Sequence, residues 1–201
     1  TVLSRGLGDV YKRQTLNGEG LQHQDGHSHA LAATIPNCIS YDPAYGYELA
    51  VIIQRGLEHM FVEREPVYYY ITVMNEAYEQ PAMPVGAEQG IVKGMYCIQS
   101  DEGTTGARIR LLASGTLLRE ALAAAVILRD EYSVAVQVWS VTSYTELARD
   151  IEDVERWNML HVDQPPRRSY VEECMQGADV WQDAPVAVSY THLTLPTSPK
   201  V

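Results

Sequence analysis

Three histidines and two carboxylates lie close together near the start of the sequence. The residues of this stretch that can transfer a proton or bind a metal are Glu19, His23, Asp25, His27 and His29. Histidine exchanges a proton near neutral pH, and the glycines between these residues allow tight bends and close approach to a ligand. No apolar periodicity runs through residues 17–29, which predicts a polar loop rather than a core element.

Three interpretations of this loop are open. It is a solvated polar turn if its composition is taken alone. It is a metal site if His27 and His29 bind zinc together with His23 and Asp25, although no cysteine or further histidine lies nearby to close the shell. It is an acid–base cluster if it serves an organic cofactor or substrate.

The elements that must hold this loop alternate between strand and helix patterns. Runs rich in tyrosine, apolar and β-branched residues predict strands at residues 35–41, 67–74, 108–113 and 134–141. Apolar residues at three- and four-residue spacing predict helices at residues 45–61, after residue 116, and at residues 144–149 and 154–160. A short helix and a weaker strand are predicted within residues 86–99. This order predicts an α/β fold of parallel sheets covered by helices, with right-handed crossovers.

Two helix faces are predicted to be buried. The first consists of Leu49, Ile52, Ile53, Gly56, Leu57 and Met60. The second consists of Leu118, Ala121, Leu122, Ala125 and Val126. Such stripes are typical of helices that pack on a sheet.

Other polar groups have structural interpretations. Residues 68–70 are three tyrosines, which we interpret as strand packing because the acidic chain offers no basic groove for stacked bases. The turn at residues 114–116 lies between a strand and a helix, where an anion could bind, although its single glycine favours a plain turn. His59 and His161 are assigned structural roles.

Composition narrows the functional class. The chain has 201 residues, of which 46% are hydrophobic and 20% charged, as in ordinary globular proteins. Its net charge of −11 argues against nucleic acids and anionic membranes as partners. Cys38, Cys97 and Cys174 are few and widely spaced, which favours free thiols in a reducing cytoplasm.

Several long strings resemble one enzyme family, the homodimeric type of pyruvate dehydrogenase. Residues 16–29 read Leu-Asn-Gly-Glu-Gly-Leu-Gln-His-Gln-Asp-Gly-His-Ser-His, and residues 34–45 read Thr-Ile-Pro-Asn-Cys-Ile-Ser-Tyr-Asp-Pro-Ala-Tyr. The likeness continues in Val-Tyr-Tyr-Tyr-Ile-Thr at residues 67–72, in Trp-Ser-Val-Thr-Ser at residues 139–143 and in residues 153–161. It covers about residues 15 to 180.

The resemblance implies a bacterial cytoplasmic enzyme of the transketolase-like superfamily. Such an enzyme uses thiamine diphosphate and Mg²⁺ to decarboxylate pyruvate oxidatively and acetylates the lipoyl group of the acetyltransferase component. The implied partners are pyruvate, a second subunit of a homodimer and the lipoyl domain. Nucleic acid and membrane are not expected. The close competitor is a 2-oxoglutarate-decarboxylating relative, and an interaction module without activity or an unrelated zinc hydrolase are alternatives from other classes.

By the same resemblance, His23, Asp25 and His29 are expected to be catalytic. Glu19 and His23 are expected to lie near the cofactor. The family's Gly-Asp-Gly motif for Mg²⁺ and diphosphate does not occur in this sequence. The resemblance also places the glutamate that activates the cofactor's ring before this stretch of sequence. The 201-residue chain alone is therefore expected to be inactive, and no metal ligand is assigned within it.

The resemblance predicts two partial domains, and the residues themselves predict a linker between them and a tail at each end. Residues 15–99 are expected to form the end of a pyrimidine-binding domain, residues 100–106 a linker, and residues 107–187 the start of a carboxyl-terminal domain. Residues 1–14 and 188–201 are expected to be translated sequencing adapter. Codons for residues 9–14 and 188–193 can be chosen as reverse complements over most of their length, and both match a transposase end sequence.

Overall fold

The computed structural model describes residues 27–74, 77–101, 106–176 and 181–189. The helices of this part of the chain are α1 (Ser28–Ala33), α2 (Gly46–Leu57), α3 (Glu88–Lys93), α4 (Leu117–Tyr132), α5 (Tyr144–Leu160) and α6 (Tyr170–Met175). The strands are β1 (Cys38–Tyr41), β2 (Tyr68–Ile71), β3 (Met95–Ser100), β4 (Arg108–Ala113), β5 (Ala135–Val141) and β6 (Val186–Ser189). Helix α2 continues directly into a π-helical turn, Glu58–Val62.

The strands form two sheets. Strands β1 and β2 pair in parallel, and the second sheet has the order β3-β5-β4-β6. Within it β5, β4 and β6 are parallel, whereas β3 is antiparallel to β5. The predicted α/β fold with parallel strands is confirmed, and β3 adds an antiparallel edge. The predicted strand at residues 108–113 has the same bounds as β4.

The buried face of α2 differs from the predicted stripe. Glu48, Ile52 and Gly56 are buried, whereas Ile53 and Leu57 are 46% and 50% exposed. A Cβ at position 56 would lie 3.4 Å from the ring of Tyr69, so this face packs closely against β2. The stripe rule missed Glu48 because it counts only apolar residues.

Three further predictions need correction, at α5, α1 and α4. Residues 144–160 form one helix, α5, rather than two, and Ser143 caps it by accepting a hydrogen bond from the N–H of Glu146 at 3.0 Å. Residues 28 and 29 were predicted to lie in a loop, but they open α1, and His29 is buried. In α4, Val126 is 44% exposed although its predicted stripe partners Leu118, Ala121 and Ala125 are buried.

The four-stranded sheet includes residues that precede the predicted linker. Strand β3 pairs with β5, so it is part of the four-stranded sheet although it lies almost wholly within residues 15–99. Strand β6 pairs with β4 and includes Val188 and Ser189, which fall in the expected carboxyl-terminal tail. Residues 1–14 and 190–201 lie outside the described residues, and the domain boundaries stay a prediction.

Hydrogen bonds join β1 to the region around α5. The Ser143 hydroxyl donates to the carbonyl of Ser40 at 2.6 Å. From α5, the Arg149 guanidinium donates to the carbonyls of Cys38 and Ile35, each at 2.9 Å. Apolar packing adds to these bonds, because Ala44 and Tyr45 lie in one buried cluster with residues of α4, β4 and β5. The two sheets are therefore held against each other at the ends of β1.

Candidate active site

The carboxyl ends of strands from both sheets meet at Asp42. This residue follows β1 directly, and its N–H donates to the carbonyl of Thr142, which follows β5, at 2.7 Å. Its carbonyl accepts from the N–H of Gly115, in the turn after β4, at 3.2 Å. Thr72, which follows β2, donates its hydroxyl proton to Oδ1 of Asp42 at 2.6 Å. Ligand sites of parallel α/β sheets commonly lie at such an edge.

The Asp42 side chain is buried and lies flat against Gly115. Asp42 is 3% exposed. A Cβ at position 115 would lie 2.7 and 2.8 Å from the two carboxylate oxygens of Asp42, and the φ of Gly115 is +49°. Both the contact and the left-handed backbone require glycine here. A carboxylate already lies against the turn where the sequence allowed an anion site, so the described geometry supports the plain strand-to-helix turn.

His29 lies on the first turn of α1 and faces the same edge. It is 3% exposed, and its ring meets the ring of Tyr70 edge-on, with centroids 5.5 Å apart and an interplanar angle of 78°. Its Nε2 lies 3.5 Å from the Thr72 hydroxyl oxygen. The structure thus brings one predicted site residue into contact with Thr72, which also contacts Asp42.

The remaining predicted site residues are not brought into this contact by the described part of the structure. Glu19, His23 and Asp25 lie outside the described residues. His27 is exposed and precedes α1. The predicted division of roles among Glu19, His23, Asp25 and His29 stays a prediction.

Tyr144, the first residue of α5, adds a second titratable group near Asp42. Its burial, and after that the negative charge of Asp42, raises the pKa of the phenol. The phenol therefore stays protonated at neutral pH and can act only as a hydrogen-bond partner there.

Glu48 forms a second buried polar centre that the sequence analysis did not identify. Its Oε2 accepts from the N–H groups of Ala44 at 2.5 Å and Tyr45 at 3.0 Å. Its Oε1 accepts from the hydroxyls of Tyr96 and Ser140, both at 2.6 Å. Burial raises the pKa of the Glu48 carboxyl, and these four donors oppose the rise. A glutamate three residues after the start of a helix is the capping-box position, which was the available signal.

A cluster of His59, Glu63 and Glu65 offers three possible metal-ligand atoms within 4.8 Å of one another in the described part of the chain. Both oxygens of Glu63, however, accept from the Arg55 guanidinium, at 2.6 and 3.0 Å. His59 bonds Tyr69 through Nδ1 at 3.1 Å and Glu65 through Nε2 at 2.8 Å. The cluster is an ion-pair network, consistent with the structural role predicted for His59. His161 also has a structural contact, since it stacks on Trp157 with ring centroids 4.4 Å apart.

Comparisons with known proteins agree with this architecture. Solved transketolases share the fold: a variant from Pichia stipitis aligns over 90% of this chain and 22% of its own with a TM-score of 0.60 at 16% identity. The enzyme from Leishmania mexicana aligns over 87% of this chain and 21% of its own with a TM-score of 0.56 at 16% identity. These likenesses define the fold as transketolase-like.

Sequence comparison is more specific. Residues 3–81 match the family model of the pyruvate dehydrogenase E1 component middle domain, and residues 94–193 match that of the transketolase-like TK C-terminal domain. The chain is 54% identical over 189 residues to the pyruvate dehydrogenase E1 component of Pseudomonas aeruginosa and 55% identical over 190 residues to that of Escherichia coli K12. These alignments cover 94% of this chain and 21% of each relative, so the chain spans about one fifth of their length. The chain therefore carries two successive matches, one to the pyruvate dehydrogenase E1 middle-domain family and one to the transketolase-like C-terminal domain family.

The matched ranges bear on two earlier expectations. They include residues 3–14 and 188–193, which were expected to be tails, and the tail hypothesis stays a prediction. Among the described residues, no helix combines the length and the apolar character that crossing a membrane requires.

Proposed function

We propose that this chain supplies acid–base and orienting groups to a pyruvate dehydrogenase active site. The proposed reaction is the oxidative decarboxylation of pyruvate with acetylation of the lipoyl group of the acetyltransferase component. The observation that carries the proposal is the 54% identity over 189 residues to a protein named pyruvate dehydrogenase E1 component. A second subunit, the lipoyl domain and a bacterial cytoplasmic location are parts of the same proposal.

The proposed roles follow the resemblance of residues 16–29. His23 is the proposed acid–base group, which would hydrogen-bond the substrate carboxylate or a developing oxyanion. Asp25 and His29 are proposed to face the substrate, and Glu19 together with His23 to lie near the cofactor. The burial of His29 at the carboxyl edge of β1 and β2 supports this placement.

Thiamine diphosphate supplies the electron sink for decarboxylation when it is bound. The described residues do not fit its diphosphate and Mg²⁺. At the start of α4, where an anion would be favoured, the carboxylate of Asp42 already lies against Gly115. The sequence also contains no Gly-Asp-Gly motif. We therefore assign no Mg²⁺ or diphosphate ligand to this chain.

A chimeric enzyme tests the proposal. Residues 15–187 of this chain would replace the aligned region of the Escherichia coli relative, which is 55% identical. We expect turnover of pyruvate and acetylation of a lipoyl domain. His23→Ala is expected to lower kcat by about 100-fold or more, since positioned acid–base groups contribute that much.

His59→Gln is the matched control, because this histidine lies in the ion-pair network with Glu63 and Glu65. Its kcat is expected to equal that of the unsubstituted chimera. Full turnover in both His23→Ala and His29→Ala would show that the chain is a non-catalytic module. Turnover of 2-oxoglutarate in place of pyruvate would contradict the proposed substrate.

A further inference from the structure

We propose that Thr72 and Asp42 are positioning residues for the imidazole of His29. The proposal rests on the proposed function only in treating His29 as an active-site residue. The three side chains come from α1, from the end of β2 and from the end of β1, so the contact joins separate elements. All three residues are buried.

The Thr72 hydroxyl is the centre of the contact. Its oxygen lies 2.6 Å from Oδ1 of Asp42, 3.1 Å from the carbonyl of Tyr41 and 3.5 Å from Nε2 of His29. A hydroxyl has one proton to donate, and the carboxylate is both the nearer and the charged acceptor. Thr72 therefore donates to Asp42, and its oxygen can accept a proton from His29. This arrangement favours the tautomer of His29 that carries its proton on Nε2.

The neighbouring groups limit how the His29 ring can turn. Tyr70, two residues before Thr72 on β2, meets the imidazole edge-on at 5.5 Å. Because His29 is buried, water has little access to this contact. A rotation of the ring that moved Nε2 away from Thr72 would also disturb the packing on Tyr70.

The carboxylate of Asp42 is in turn held by the second sheet. Its backbone bonds to Thr142 and Gly115, and its two carboxylate oxygens lie 2.7 and 2.8 Å from the position that a Cβ at residue 115 would take. The orientation of His29 thus depends on the docking of β4 and β5 against β1. Asp42 and Thr72 together connect Gly115 to the imidazole.

The test is the nitrogen spectrum of His29 in the ¹⁵N-labelled 201-residue chain. His29→Gln identifies the resonances by their loss. We expect Nε2 to be the protonated nitrogen, and we expect Thr72→Val to shift both ring nitrogens by several parts per million. Thr72→Ser retains the hydroxyl and is expected to restore the original spectrum. An unchanged His29 spectrum in a folded Thr72→Val protein would overturn the proposal.

Two further measurements test the proposal if the 201-residue Thr72→Val protein does not fold. Asp42→Asn keeps the volume of the side chain but removes its charge, and an unchanged His29 spectrum in it would also overturn the proposal. In the chimera, Thr72→Val is expected to lower kcat at least tenfold with little change in KM, and Thr72→Ser to recover it. Retention of kcat in Thr72→Val overturns the proposal as well. A spectral shift together with full turnover in His29→Ala would instead contradict the proposed function alone.

Discussion

Two buried carboxylates, those of Glu48 and Asp42, link the region of β1 to the second sheet in different ways. Glu48 is surrounded by two backbone N–H groups and by the hydroxyls of Tyr96 and Ser140. Asp42 instead accepts a hydrogen bond from the Thr72 hydroxyl, whose oxygen also lies 3.5 Å from Nε2 of His29. The backbone N–H groups and hydroxyls that donate to Glu48 do not change their ionisation state near neutral pH, whereas an imidazole in general does. Burial alone therefore does not distinguish the two carboxylates, and what sets Asp42 apart is its link to His29, the proposed active-site histidine.

The largest expected effect is at Glu48. Glu48→Ala leaves four buried donors without their acceptor and is expected to lower the free energy of unfolding by about 3–5 kcal/mol. Glu48→Gln is expected to lose less, because its amide can accept from the two N–H groups and donate to the two hydroxyls. Urea unfolding measures both, with the exposed Glu155→Gln as control. Equal stability of the Ala variant and the control would contradict a structural role.

The next effect concerns the contact of Asp42 with Gly115. Gly115→Ala adds a Cβ 2.7 Å from a carboxylate oxygen at a backbone φ of +49°. We expect a loss of about 3 kcal/mol from overpacking and left-handed strain together. Gly86→Ala is the matched control, because Gly86 has a φ of +80° and nothing lies within 4 Å of its Cβ position. Strain alone predicts about 1 kcal/mol there. Equal losses at both positions would show that the Asp42 contact contributes nothing.

A smaller effect is the pH dependence that Glu48 imposes. Burial raises its folded-state pKa above the ordinary 4.5, so between the unfolded and folded values the native state binds more protons. Its contribution to stability is fully present below the unfolded pKa and is lost as the pH rises through the folded pKa. Glu63, whose pKa Arg55 lowers, has the opposite sign. The stability of the unsubstituted chain minus that of Glu48→Gln should therefore fall as the pH rises from about 4.5. A difference that rises or stays constant would contradict the assignment.

The smallest expected effect is a null result for the cofactor. The 201-residue chain alone is expected neither to bind thiamine diphosphate tightly nor to decarboxylate pyruvate, because it lacks the Gly-Asp-Gly motif. Calorimetry with thiamine diphosphate and Mg²⁺, followed by a turnover assay, measures this. A micromolar dissociation constant accompanied by turnover would contradict the expectation that the chain cannot bind the cofactor without the missing motif.

Local patterns predicted most of the secondary structure. Strand β4 has the predicted bounds because its alternation ends sharply at the turn of residues 114–116. The sequence analysis divided α5 in two because three of residues 150–153 are acidic and interrupt the apolar pattern. The helix continues through them because this segment contains no glycine or proline. The pairing of β3 with β5 could not be predicted, since Met95 and Val141 are distant in sequence and only tertiary packing selects the partner.

The candidate site was predictable only in part. The resemblance of residues 16–29 singled out His29, but its burial depends on Tyr70 and Thr72, more than 40 residues later. No functional prediction was made for Asp42, and no local rule reveals that Gly115 will lie against its carboxylate. Contacts of this kind depend on two sheets meeting, which sequence periodicity does not encode.

The bonds from Arg149 to the carbonyls of Ile35 and Cys38 have a consequence for the order of events during translation. Arg149 is 111 residues beyond Cys38. At about 5–20 residues per second, β1 leaves the ribosome roughly 6 to 22 s before the guanidinium that holds its amino-terminal end. Once β2 has also emerged, β1 and β2 spend the rest of that interval as a pair that lacks the contacts from Arg149, and these seconds are when a ribosome-associated chaperone would have most to protect.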